Sequence, residues 1–306
     1  MTRRAGLFLV FLIALVAAAP SLAPYDAGRA FRDFLHAPPM RPHLEGGALV
    51  AYPLVLADRL AQRFDVDRSR TIALPWFGDD AAPPVFLLGS DEFGRDVLSR
   101  LLYGARTSIG LSLVATLGAV LIGALAGAWA GYRGGWVDEA IMRVSDFVLV
   151  LPVIYVVVVL RAVLPLVLPA STVFLLVSLI FIVVGWPFVA KGVRAIVAAE
   201  RDREYVQAAR SLGAGHARIL VTHLIPACTG HLLVQATLLL PAFILAEATL
   251  SFIGLGFPDP VTSWGTMLAT AGSYSSIARF PWTLTPAIAI FAIVLATNLI
   301  SSQENS

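Results

Sequence analysis

The chain has 306 residues, of which 58% are hydrophobic and 14% charged, with a formal net charge of +2. Ordinary soluble domains carry about 25% charged residues, so a single water-facing globule is excluded and an integral membrane protein is indicated. The one cysteine, Cys228, leaves no internal disulfide or cysteine zinc cluster, and it reads as a small buried packing residue.

A membrane-crossing helix needs about 20 mostly apolar residues. Six segments qualify: roughly 5–23, 107–131, 145–164, 172–190, 228–249 and 283–301. In the first, Arg3-Arg4, an apolar run and Ala17-Ala18-Ala19 fit either a signal peptide or a retained anchor. The run continues through Leu22 without a small-x-small site, which favours the anchor, so residues 1–23 are taken as the first transmembrane helix.

Residues 24–106 form a long connection rich in Pro and charge. Leu56, Leu60 and Phe64 recur every fourth residue beside Asp58, Arg59 and Arg63, which predicts one amphipathic helix. A docking surface and a variable cap over an outer mouth both fit this segment. His36 and His43 lie there, and a solvated role is favoured for them over paired metal ligation. The connection closes on Gly89-Ser90-Asp91-Glu92-Phe93-Gly94-Arg95-Asp96-Val97-Leu98-Ser99-Arg100 and then Gly104-Ala105-Arg106. On a helical wheel over 95–106, Val97, Leu98, Leu101, Leu102 and Ala105 share one side. Arg95, Asp96, Ser99, Arg100, Tyr103 and Arg106 share the other, which predicts an amphipathic helix lying in the outer membrane interface.

In the second span Gly123, Gly127 and Gly131 recur every fourth residue. Such a row bares the backbone for close approach of a neighbouring helix, either within the chain or from a second subunit. Arg161, late in the third span, is expected to reach back to the outer surface, because a charge at mid-bilayer costs about 2.5–3.5 kcal/mol. Asp146 reads as an interfacial residue near the inner side.

Residues 191–226 are polar and basic between two apolar spans. Tyr205, Ala208, Ala209 and Leu212 fall on one helical arc, with Glu204, Gln207, Arg210 and Ser211 opposite. Gly213 stands where a helix needs a left-handed closing residue, and Pro226 suits the first turn of the next helix. A short helix with a small-residue face is shaped to dock into a groove of another protein. Arg3 and Arg4 place the N-terminus in the cytoplasm. Counting crossings then puts 191–226 inside, with Lys191, Arg194, Arg201, Arg203, Arg210 and Arg218, as the positive-inside tendency requires. Arg95, Arg100 and Arg106 on the outer side run against that tendency, and the inner cluster outweighs them.

Lys191 is the only lysine and is followed by Gly192, so the chain has no Gly-Lys-Ser/Thr phosphate-binding loop and no ATPase of its own. Glu247, near the outer end of the fifth span, is an ionisable group placed for either a translocation path or a hydrogen bond to a neighbouring helix. A secondary transporter would show internal repeats and mid-membrane charge, and neither is found. An intramembrane enzyme would need a nucleophile with a placed base, whereas His216 and His223 lie in the 191–226 loop and His231 has no evident Ser or Asp partner.

Three of these blocks resemble the permeases of ABC importers. Gln207-Ala208-Ala209, Gly213 and Ile225-Pro226 match the coupling-loop signature Glu-Ala-Ala, three residues, Gly, then Ile-x-Leu-Pro. Gln207 replaces the usual Glu, and His223 stands at the expected Ile. Gly89, Asp91, Gly94, Arg95, Asp96, Ser99 and Arg100 fit the Gly-Thr-Asp-x-x-Gly-Arg-Asp-x-x-Ser-Arg block of dipeptide, oligopeptide and nickel permeases, with Ser90 in place of Thr. Glu247-Ala248-Thr249-Leu250-Ser251-Phe252-Ile253-Gly254-Leu255-Gly256, then Ser263-Trp264-Gly265 and Pro281-Trp282, is similar to the block between the last two spans of the same family. Departures are the long 24–88 insert and residues 302–306, a short tail where relatives continue with a polar Gly-Asp-Gly-Leu-Arg-like stretch.

The resemblance implies an all-α polytopic membrane protein of about six transmembrane helices with the type I ABC-importer permease fold. Its permease core would span 107–301 with the coupling loop at 191–226, and its closest subgroup is the second permease subunit of the peptide/nickel type. It implies a bacterial inner-membrane location and an ATP-driven import of peptides, with nickel or oligosaccharides as the alternative cargo. The implied partners are a second permease, two ATPase subunits, an extracytoplasmic solute-binding protein and membrane lipid, but no nucleic acid. ATP and Mg would be held by the ATPase subunits, with no cofactor and no metal in this chain.

Overall fold

The computed structural model describes residues 2–59, 62–76, 83–163, 168–258, 260–272 and 274–303. The apolar runs form helices α1 Thr2–Leu22, α2 Val97–Arg133, α3 Gly135–Val150, α4 Val153–Val163 and α5 Ala170–Glu200. After them come α6 Glu204–Ser211, α7 His216–Ile219, a π-helical turn Leu220–Leu224, α8 Ile225–Ala227 and α9 Thr229–Phe252. α10 Trp264–Thr270, α11 Tyr274–Arg279, a 3-10 turn Pro281–Leu284 and α12 Thr285–Gln303 follow. Between α1 and α2 lie the short strands β1 His43–Glu45, β2 Ala48–Ala51, β3 Leu54–Asp58, β4 Arg63–Val66 and β5 Ile72–Ala73.

Among the described residues, four stretches are long and apolar enough to cross a bilayer: Val97–Arg133, Ala170–Glu200, Thr229–Phe252 and Pro281–Leu299. Leu12–Leu22 of α1 is a shorter apolar stretch. The single span expected over 145–164 is corrected to two helices. α3 ends at Val150, Leu151 turns extended with φ −75° and ψ 117°, and α4 begins at Val153. Pro152 is the cause, since its ring pushes the preceding residue out of the helical region. α5 runs on to Glu200, past the expected end at 190, because its apolar residues Val193 and Val197 remain buried there. The side chain of Arg161 and residues 304–306 lie outside the described residues.

The chain divides into two compact units, one of Met1–Val10, Leu111–Glu247 and Ile293–Ser306, the other of Phe11–Gly110 and Ala248–Ala292. In the first unit α5 packs on its neighbours at van der Waals limits. A Cβ added at Gly123 would stand 2.5 Å from the Val189 Cβ, at Gly127 2.3 Å from the Ala190 carbonyl oxygen, and at Gly131 2.5 Å from that of Arg194. The glycine row is therefore a contact within the chain, α2 against α5. Phe181 of α5 stacks on Phe243 of α9 with ring centroids 5.1 Å apart. Two ion pairs tie α3 to α5. Arg194 holds Asp138 by both guanidinium and carboxylate, which keeps that carboxyl below the usual carboxylate range, and Lys191 meets Asp146 at 2.5 Å. Cys228 is fully buried and reduced, as expected of a packing residue.

The second unit contains the strands. β1, β2 and β5 form an antiparallel sheet in that order, and β3 pairs antiparallel with β4. Ala37, Met40, Ala51, Leu54, Leu74, Val85 and Phe86 make a core, with Phe31, Phe34, Phe64, Ile72 and Leu87 packed against it. The amphipathic helix expected over Leu56, Leu60 and Phe64 is thus corrected to a β-hairpin. Leu56 pairs with Phe64 across the strands, and exposure alternates from buried Leu54 through exposed Val55 to half-buried Leu56, a period of two. Leu60 itself lies outside the described residues. The two histidines are less solvated than expected. His36 is half-buried and stacked on Phe280 at 3.9 Å, and this burial lowers its pKa. His43 is stacked on Tyr52 at 4.4 Å.

Candidate functional site

In the first unit, the segment after α5 is a helix, a glycine corner and a second helix. Glu204 in the first turn of α6 and Arg210 in its last turn complement the helix dipole. Gly213 takes φ +80°, and the Gly213 and Ala214 amides donate to the Arg210 and Ala209 carbonyls at 2.9 and 3.0 Å. This closure needs a left-handed residue, which glycine adopts without cost. On the expected docking arc Leu212 is 89% exposed and Tyr205 42% exposed, Ala208 is exposed and Ala209 half-buried. Glu204, Gln207, Arg210 and Ser211 are exposed too. Tyr205 donates its hydroxyl to the Glu200 carboxylate at 2.9 Å. Val206 is the one buried residue of α6 and anchors it, while Ala209 is half-buried and the other residues of the helix are exposed. The sequence reading missed that anchor. Its signal was a β-branched apolar residue standing apart from the Tyr205–Leu212 arc. Pro226 falls in the first turn of α8, as expected.

In the second unit, the helix expected over 95–106 leads into the second span, but its polar side does not face water throughout. That expectation is corrected: residues from Val97 onward are the first turns of the 37-residue α2, and Asp96, Ser99 and Arg100 are buried along with Val97 and Ala105. Arg100 is 1% exposed, Asp96 2% and Ser99 0%. The chain between Tyr25 and Ala37 covers them and supplies donors that periodicity cannot reveal. Tyr25 N–H donates to Ser99 Oγ at 2.9 Å, His36 N–H to the Asp91 carbonyl at 3.0 Å, and Ala37 N–H to Ser90 Oγ at 2.7 Å.

Asp91 is the hub of the block. One carboxylate oxygen accepts the Phe93 and Arg95 amides, each at 2.9 Å. The other accepts Arg95 Nε at 2.7 Å and an Arg100 Nη at 2.5 Å. Gly94, at φ +74°, passes so close to Phe31 that a Cβ would stand 2.2 Å from its carbonyl oxygen. Gly89, at φ +78°, meets the Trp282 ring and the Ala37 carbonyl in the same way. Trp282 donates its indole N–H to the Ser90 carbonyl at 3.0 Å. Trp264 donates its indole N–H to the Leu101 carbonyl at 3.0 Å and its amide to Ser108 Oγ at 3.1 Å. The motif residues separated in sequence are therefore one packed cluster.

Asp96 caps α2 by accepting the Ser99 amide and hydroxyl, both at 2.7 Å, through one oxygen. Its other oxygen is buried without a hydrogen-bond partner. Burial drives its pKa up to about 6, against the Ser99 hydrogen bonds, with Asp91 adding like charge. Tyr25 and Asp91 are titratable groups that act on it, and Asp91 is itself paired with Arg95 and Arg100. Because the folded pKa lies above the unfolded 3.8, the folded state binds the extra proton between the two values. Ionised Asp96 thus lowers stability above pH 6, and the loss is relieved as pH falls through 6. The melting temperature of purified wild type, relative to Asp96→Asn, is expected to rise between pH 7.5 and pH 4.5. A flat difference across that range would refute the shifted titration.

A family model described as "Binding-protein-dependent transport system inner membrane component" matches residues 119–303. The chain belongs to this family. It is a permease of the ABC-importer class. The permease is 36% identical to the di/tripeptide transport system permease protein DppC of Pseudomonas aeruginosa, over 96% of this chain and 82% of that one. It is 34% identical to the dipeptide transport system permease protein DppC of Haemophilus influenzae, over 82% and 83%. Among solved structures, the inward-facing MetNI methionine ABC transporter aligns with a TM-score of 0.46 at 17% identity, over 66% of this chain and 95% of that one. In the permease, Glu247 lies in α9 and is 1% exposed, so its carboxyl is enclosed by protein.

Proposed function

We propose that this permease imports peptides, with α6 and its Gly213 corner as the part that receives force from an ATPase. In this reading the N-terminus is cytoplasmic, 191–226 faces the cytoplasm and 24–106 lies outside. A second permease completes the path, two ATPase subunits bind below, and a solute-binding protein delivers cargo. The peptide cargo follows the relatives, whose names specify dipeptides and tripeptides. The observation that carries the coupling role is the openness of α6. An α6 whose one buried residue is Val206, with Leu212 89% and Tyr205 42% exposed, leaves apolar surface for a partner to cover. When ATP closes the ATPase pair, a docked α6 would move as a rigid body and pull on α5 and α9, which flank the segment.

The test is co-purification from membranes with the partner subunits expressed together. The double variant Ala208→Trp with Ala209→Trp is expected to lose the ATPase while keeping the second permease. A cysteine probe at residue 215 is expected to escape impermeant reagents in intact cells. ATPase retained by the double variant, or labelling at 215 from outside, would overturn the proposal.

A further inference from the structure

One side chain that the sequence did not single out holds both arms of the coupling segment. Tyr132, next to last in α2, is 6% exposed. Its hydroxyl lies 2.8 Å from Nδ1 of His216, the first residue of α7. Its ring packs edge-on against that imidazole, with centroids 5.6 Å apart. The guanidinium of Arg210, in the last turn of α6, lies 5.2 Å from the centroid of the same ring. Beside it Arg201 donates an Nη hydrogen to the Gly131 carbonyl at 3.2 Å.

The corner between the two arms has no packing of its own. A Cβ at Gly213 would find no atom within 4 Å, so no side-chain packing there adds to the backbone closure between α6 and α7. Contacts on either side hold the two arms: Tyr205 of α6 meets His223 with ring centroids 5.9 Å apart, and Arg210 and His216 both close on Tyr132. A segment clamped on two sides by one buried residue cannot swing without moving that residue. Tyr132 belongs to α2, which the glycine row already locks against α5.

We infer that Tyr132 is a positioning residue for transport coupling: it fixes the angle at the Gly213 corner and passes displacement of α6 and α7 into α2. The inference rests on the coupling role proposed above. It adds a third lever to the two helices that flank the segment in sequence, and it assigns Arg210 and His216 to grip the clamp while the apolar residues meet the partner.

The test uses the intact transporter, with both permeases, both ATPases and the binding protein, in proteoliposomes where ATP hydrolysis and dipeptide uptake are read together. Tyr132→Phe removes only the hydroxyl and keeps the ring beneath Arg210. ATP hydrolysis is expected to continue while uptake per ATP falls roughly fivefold, the factor one hydrogen bond commands. His216→Ala should produce a similar fall, and combining the two should add little, since both remove one contact. An unchanged uptake per ATP, additive losses, or failure of Tyr132→Phe to assemble would each overturn the inference. Ala209→Trp serves as the separate arm. If the ATPase stays bound in that variant, the coupling role itself fails. If the ATPase is lost there while Tyr132→Phe leaves the ratio intact, only the clamp fails.

Discussion

Asp91→Ala is expected to destabilise the permease by about 3–5 kcal/mol, the usual cost of breaking a buried ion pair by removing one partner. The pair to Arg100 has side-chain exposures of 8% and 2%, so water cannot replace the lost acceptor. Two amides, Arg95 Nε and an Arg100 Nη lose their acceptor in the same step. The measurement is the thermal melt of the detergent-purified chain, with the amount recovered from membranes as a second readout. Asp91→Asn keeps an oxygen for the Phe93 and Arg95 amides but turns an NH2 donor toward Arg95 and Arg100, so its loss should be smaller than that of Asp91→Ala and still measurable. Equal melts for wild type and Asp91→Ala would show that the hub is dispensable.

Gly213→Val is expected to abolish uptake while the chain still inserts in the membrane. The corner has room for a side chain but the wrong backbone for one. No atom stands within 4 Å of an added Cβ, yet φ is +80°, a conformation that costs a β-branched residue on the order of 1–3 kcal/mol. The strain is relieved by changing the angle between α6 and α7, which misplaces the docking helix without unfolding the rest. Asn, which tolerates left-handed backbone, should retain most of the uptake at this position. Uptake in Gly213→Val equal to wild type would remove the corner from the mechanism. Loss in both variants alike would point to bulk and not to backbone conformation.

These two sites differ in how visible they were beforehand. The corner was legible because its causes are local. A polar run between apolar spans, a glycine at a helix end and a proline after it are each set by residues within one or two turns. The apolar helices α2, α5, α9 and α12 were legible for the same kind of reason, since hydropathy over about 20 residues decides them. The break at Leu151-Pro152 was equally local, and the hydropathy window passed over it because proline changes the backbone more than it changes the mean polarity.

The polar block at Asp91–Arg100 was misread because a wheel assumes that polar residues face water. Here residues 25–37 arrive from elsewhere in the chain and bury that side, satisfying it with amides of Tyr25, His36 and Ala37. The Leu56–Phe64 stretch was misread because a spacing of four fits a helix, and equally fits every second step of a strand. Its cross-strand register settles the matter.

Composition and motif order alone pointed to a membrane permease of the ABC-importer family and marked 191–226 as a polar, basic segment between apolar spans. They could do so because solvent partition and short-range backbone preference act on contiguous residues. Only the tertiary structure decided that the glycine row meets α5, that the Asp91 block is interior, and that Tyr132 grips both arms of the corner. Those facts depend on which distant segments come into contact, and a side chain's environment is set by what packs against it as much as by its own chemistry.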